Sequence, residues 1–168
     1  MHCLLVIALT APVGCYQDAA APVTPEATVS DASTTADALA EMMRRSKRQY
    51  GSVEGIVEEL AAADVPAIIK GSNLGSLRYS EAEYRQLDPR QREQITEEMD
   101  ALNRFFKAVG RRGVELAAEA RRDGNSPLAT RYVRMLERAG LTLQDRKRMA
   151  FIRDIGESLS RAAKEAAR

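Results

Sequence analysis

The chain has 168 residues, 45% of them hydrophobic, which suits one folded domain with short extensions and excludes disorder throughout. Aromatic residues make up 5%, with no Trp, so a core has to be built from Leu, Ile, Val, Met and Ala, as closely approaching helices allow and a sandwich or barrel does not. Lys and Arg total 25 against 24 acids, and a net charge of +1 names no partner. Its distribution is less even: residues 16–103 carry 9 basic and 16 acidic side chains (net −7), whereas residues 104–168 carry 16 and 8 (net +8). Two oppositely charged regions that attract one another would explain this, and so would a basic surface for an anionic partner.

Residues 4–11 form an apolar run from Leu4 to Ala11. It is too short to span a bilayer, which takes about 20 residues, and fits the apolar stretch of a secretory signal. Small residues follow, then Cys15. The tract Pro12-Val13-Gly14-Cys15 resembles the lipobox of bacterial lipoproteins, where a small residue precedes the cysteine that receives diacylglycerol. Pro12 stands where that family usually carries Leu. The resemblance covers the address alone. It implies a signal peptide over residues 1–14, lipidation of Cys15 and export to the cell envelope. Tyr16, in place of the Asp that commonly retains such proteins in the inner membrane, implies the outer membrane or the periplasmic face. Residues 15–31 hold the anchor cysteine and a segment rich in Ala, Pro, Thr and Ser with no apolar stripe, which reads as a disordered linker. Residues 32–168 read as an all-α domain.

The first helix is expected to start near Ser30, Asp31 or Ser33 and to carry a seam of Leu39, Met43, Ser46, Tyr50, Val53, Val57 and Leu60, alternating in steps of 4 and 3. Gly51 and Gly55 on a neighbouring face mark a kink or a close helix approach. Residues 65–79 are apolar yet broken by Pro66, Gly71 and Gly75. They suit a plug packed over the helices or a mobile interaction segment. Ser80 with Glu83 reads as a capping box for a short helix. Asp88 caps the next helix and Pro89 opens it. That helix is expected to run to about Arg122 with a seam of Ile95, Met99, Leu102, Phe106, Val109, Gly113, Leu116 and Ala120. Gly124 stops it, and Ser126 with Pro127 starts another. Gly140 is expected to break this third helix, and Thr142 with Asp145 to restart it. The expected architecture is an elongated antiparallel bundle of three long helices, the last one broken, with a short helix and an apolar connection.

Chemistry is limited by residue types. Beyond residue 14 the sequence has no His and no thiol except Cys15, which removes His-based acid–base catalysis, Cys nucleophiles and Cys/His zinc sites. Glu157-Ser158 superficially resembles the Glu-Ser pair of lytic transglycosylases, but the Gly-Leu-Met-Gln segment of that family is missing and no Trp is available to stack on sugar. Glu58-Glu59 and Glu97-Glu98 suit solvated helix faces better than metal carboxylates. Basic clusters at residues 44–48, 111–112, 121–122 and 146–148 lack the interleaved aromatics that stack bases, so nucleic acid is not expected. No catalytic, cofactor or metal residue is expected. The expected function is a lipid-anchored, non-enzymatic scaffold or protein-interaction module of the bacterial cell envelope, with an envelope protein or a second copy as partner. The alternative is a small-ligand or lipid carrier with its ligand near Gly51, Gly55 and Gly113.

Overall fold

A computed structural model describes residues 30–48 and 53–168. Cys15, the signal, most of the linker, Tyr50 and Gly51 lie outside them. The described residues are all-α, with eight helices and no strand. They are α1 (Ser30–Arg48), α2 (Val53–Ala62), α3 (Val65–Gly71), α4 (Gly75–Arg78), α5 (Glu81–Gln86), α6 (Pro89–Arg122), α7 (Ser126–Leu143) and α8 (Ala150–Ala166).

The helix starts follow from side chains that accept otherwise unpaired backbone N–H groups. Ser80 Oγ accepts from the Glu83 N–H, and Glu83 Oε2 accepts in return from the Ser80 N–H (2.8 Å), so the expected capping box forms at α5. A second box opens α6. There Asp88 Oδ1 accepts from the Gln91 N–H (2.9 Å) and Gln91 Oε1 from the Asp88 N–H (3.2 Å), with Pro89 supplying the preset φ of the first turn. Gly124 stops α6 at φ +73°, a left-handed geometry that favours glycine. Asn125 caps α7 by accepting from the Leu128 N–H, one residue earlier than the expected Ser126, which becomes the first residue of the helix.

The 34 residues of α6 rise about 50 Å, as 1.5 Å per residue requires. Its seam from Ile95 to Ala120 is buried as expected, apart from the half-buried Met99. Phe105, Gly110 and Ala117 are buried as well, because α2, α7 and α8 all pack on the helix and widen its inward face. Residues 65–79 form α3 and α4 and lie in the core. Ile69 and Val65 are about 1% exposed, and α3 sits between α1 and α7 while α4 rests on α6.

The last 43 residues differ from expectation. The helix does not break at Gly140; it runs through to Leu143, and Thr142 lies inside it with its hydroxyl donating to the Arg138 carbonyl (2.7 Å). After the turn of residues 144–149, α8 folds back along α7 and shares with it the most extensive helix–helix contact of the fold. The expected single broken helix is therefore two helices side by side. Glycine serves close approach here, since a Cβ on Gly140 would fall 2.8 Å from the Gly156 carbonyl oxygen. Gln144 Nε2 donates to Ser160 Oγ (2.7 Å) across the same crossing. On α6, a Cβ at Gly110 would stand 3.3 Å from Leu159 Cδ2 of α8.

Candidate functional site

Along their solvent side α6 and α8 leave a groove. Its deeper part has a volume of about 300 Å³, and its floor is Phe106, Gly110, Ile155, Leu159 and Ala162. It continues past Lys107, Arg111 and Ala162 into an open trough of about 750 Å³ that reaches Val114 and Glu165. Phe106 is fixed in place by an edge-on contact with Phe105, ring centroids 5.1 Å apart. Gly110 sets the depth. A Cβ there would stand 3.3 Å from Leu159 Cδ2 and would fill the floor. Further toward the C-terminal ends of α6 and α8, the Arg121 guanidinium donates to the Ala166 carbonyl.

The rim is cationic. Arg104, Lys107 and Arg111 follow one another at steps of 3 and 4 on the exposed side of α6. Arg104 and Lys107 make no ion pair with any other described residue, and Arg111 reaches only Glu115, at 3.6 Å. Arg112, one residue on, binds a cluster of Glu54, Glu115 and Glu119 at 2.8 to 3.1 Å, of which Glu115 also lines the trough. The hydrogen bonds it donates to Glu115 and Glu54 hold its guanidinium above the ordinary arginine range. Glu54–Arg112 is the one ion pair among the described residues that joins the acidic segment (residues 16–103) to the basic one (residues 104–168). Charge pairing inside the fold thus leaves most of the basic surplus on the surface.

A second polar feature lies behind the turn between α7 and α8. Arg148, half-buried, donates through Nη1 to the Leu77 carbonyl of α4 (2.6 Å), while its Nε finds no partner. Burial pushes its pKa down, with Asp145 acting in the opposite sense. Ser76, fully buried, donates its backbone N–H to Glu98 (3.0 Å). These contacts pin α4 between α6 and the turn. Tyr132 in α7 has its phenol pKa raised, by burial first and then by the charges of Glu58 and Glu54.

Of the residues singled out from sequence, Gly55 is exposed with open space where a Cβ would stand, whereas Gly113 is packed against Leu136 at 3.2 Å. The two face different surroundings. Glu157 is exposed, and Ser158 donates to the Asp154 carbonyl on the groove's edge. Glu59 pairs with Arg45 (2.5 Å) and Glu98 caps Ser76, so the adjacent acids act separately. Among the described residues no group of His, Cys, Asp and Glu is placed to hold a metal ion, and no helix is long and apolar enough to cross a membrane. Sequence reasoning missed the groove. Its signal is the pairing of Gly110 with the small Ala162 on helices that the expected topology did not set side by side. Comparison with known proteins finds no relative: no family model fits the chain, and no curated protein and no solved structure matches it.

Proposed function

We propose that the protein is an exported, lipid-anchored and non-enzymatic interaction module of the bacterial cell envelope, tethered through Cys15 and working as an elongated antiparallel helical bundle. What supports this reading is the groove between α6 and α8. An apolar floor about three helical turns long, with Arg104 and Lys107 unpaired on its rim and Arg111 held only by Glu115, suits an amphipathic helix of a partner protein whose flanking residues are acidic.

The test is site-specific photocrosslinking in cells. A crosslinker at Asn103, on the groove edge, should capture one partner, and Lys107→Glu with Arg111→Glu should abolish capture. A crosslinker at the exposed Glu81 of α5 serves as the control. Capture of nothing but the protein itself, or equal capture from both positions, would refute the reading. Mass spectrometry of the mature N-terminus tests the anchor separately, since an unmodified residue 15 excludes lipidation. The alternative, a small-ligand or lipid carrier, draws support from the recess above Gly110, whose size falls at the lower end for ligand pockets. Native mass spectrometry of the full chain would show a retained lipid or metabolite in that case.

A further inference from the structure

We infer that the turn between α7 and α8 carries a second binding surface, one that contacts an anionic phospholipid bilayer. Single exposed apolar residues are normal on any protein and need no explanation. Here Leu141 (62% exposed) and Phe151 (37% exposed) are the large exposed hydrophobics of the described residues, and both bracket the same turn. Leu141 lies two residues before the end of α7, and Phe151 is the second residue of α8.

The charge between them has the complementary sign. Arg146 and Lys147 are exposed in the turn and make no side-chain ion pair with a described residue. Arg134 and Arg138 precede Leu141 at steps of 4 and 3, which places all three on one exposed line of α7. Glu137, four residues before Leu141, and Asp145 and Asp154 are the acids nearby, against the five cations Arg134, Arg138, Arg146, Lys147 and Arg153, and the Asp145 carboxylate is engaged by the Lys147 N–H (3.0 Å). The turn is held rigid rather than left to collapse on its own apolar groups. Arg153 Nη1 donates to the carbonyls of Arg146 and Arg148, and Arg148 anchors the inner side to Leu77. Aliphatic and aromatic side chains exposed among free cations are the chemistry that settles into the headgroup region of a negatively charged membrane.

This inference uses the membrane proximity of the proposed function but rests on different residues, and its test separates the two. The sequence has no Trp, so Phe151→Trp in the full chain creates a single fluorescent reporter, and Leu141→Trp provides a second. With vesicles containing phosphatidylglycerol, emission should shift to shorter wavelength and be quenched by brominated acyl chains. With phosphatidylcholine alone neither should happen, even where the chain pellets with the vesicles. Adding Arg146→Glu and Lys147→Glu should weaken the response roughly tenfold or more, as should raising the salt concentration. A reporter at the exposed Gln86 of α5 should stay in water throughout. If the indoles introduced at positions 151 and 141 remain water-like on anionic vesicles while the chain pellets with them, the surface is refuted and the anchor stands. If they shift on anionic vesicles while the chain ignores neutral ones, the surface stands without the anchor.

Discussion

Gly140 and Gly156 face each other so closely where α7 crosses α8 that a Cβ on either would meet the other's carbonyl oxygen, at 2.8 Å and 2.6 Å. Backbone nitrogens add to the obstacle, Ser160 N at Gly140 and Gln144 N at Gly156, alongside the side-chain atoms Ser160 Oγ and Gln144 Cγ. Neither helix can yield without opening the hairpin. Gly140→Ala and Gly156→Ala are therefore expected to destabilise the fold by about 3 kcal/mol or more, at the upper end of overpacking costs. Gly55→Ala is the contrast. It lies inside α2 with nothing within 4 Å of the new methyl group, and should stabilise by about 0.5–1 kcal/mol through helix propensity. Urea denaturation followed by helical circular dichroism measures all three. A Gly140→Ala protein as stable as the parent would disprove the crossing.

Arg112 gathers Glu54, Glu115 and Glu119 around one guanidinium, with about a quarter of its side chain exposed. Arg112→Met leaves three carboxylates facing one another. Because the glutamates are 40–51% exposed, solvent screening limits the loss to about 1 kcal/mol at low salt. At 1 M salt, where charges farther apart than about 3 Å are screened, most of the difference from the parent should vanish. A loss that ignores salt would mean that packing of the arginine stem dominates.

Glu83 is held below the usual carboxylate range, first by the Ser80 hydroxyl and then by the Ser80 N–H. A depressed folded-state pKa means that the capping contribution is present above the unfolded value near 4.5 and is lost as pH falls through the folded one. Carboxyl NMR titration should find Glu83 below its ordinary value in the parent and moved back toward it in Ser80→Ala, which removes the hydroxyl and keeps the backbone N–H. Titration at the ordinary position in both proteins would contradict the capping box.

The start of α6 at Asp88 and Pro89 and the capping box of α5 were legible because each is local: Ser80 and Glu83 are three residues apart, and the cap type follows from the side chain, whereas Gln91 completing a second box was not anticipated. The buried seam of α6 was legible for the same reason. Gly140 is ambiguous in the sequence, since glycine inside a helix permits both a break and a close approach, and only the partner surface decides between them. Gly156 sits on that surface, 16 residues away. The groove stayed hidden because it belongs to two helices, and its depth depends on Gly110 having Leu159 opposite. Cations at Arg104 and Lys107 read as an ordinary solvated face until the apolar floor beside them is seen.

The hydrogen bond from Arg148 to the Leu77 carbonyl joins residues 71 positions apart, whereas α6, α7 and α8 are linked by successive hairpins. In kinetic terms, short-range contacts form before long-range closure, so the C-terminal hairpins are expected to organise first and α4 to dock on the turn after the main barrier. Arg148→Met should accordingly speed unfolding and leave the refolding rate almost unchanged, as stopped-flow measurements over a range of urea would register. Equal changes in both rates would place that contact inside the folding nucleus instead. Formed after the barrier, the contact makes the arginine that steadies the turn a latch that sets how long the folded chain persists, rather than how quickly it forms.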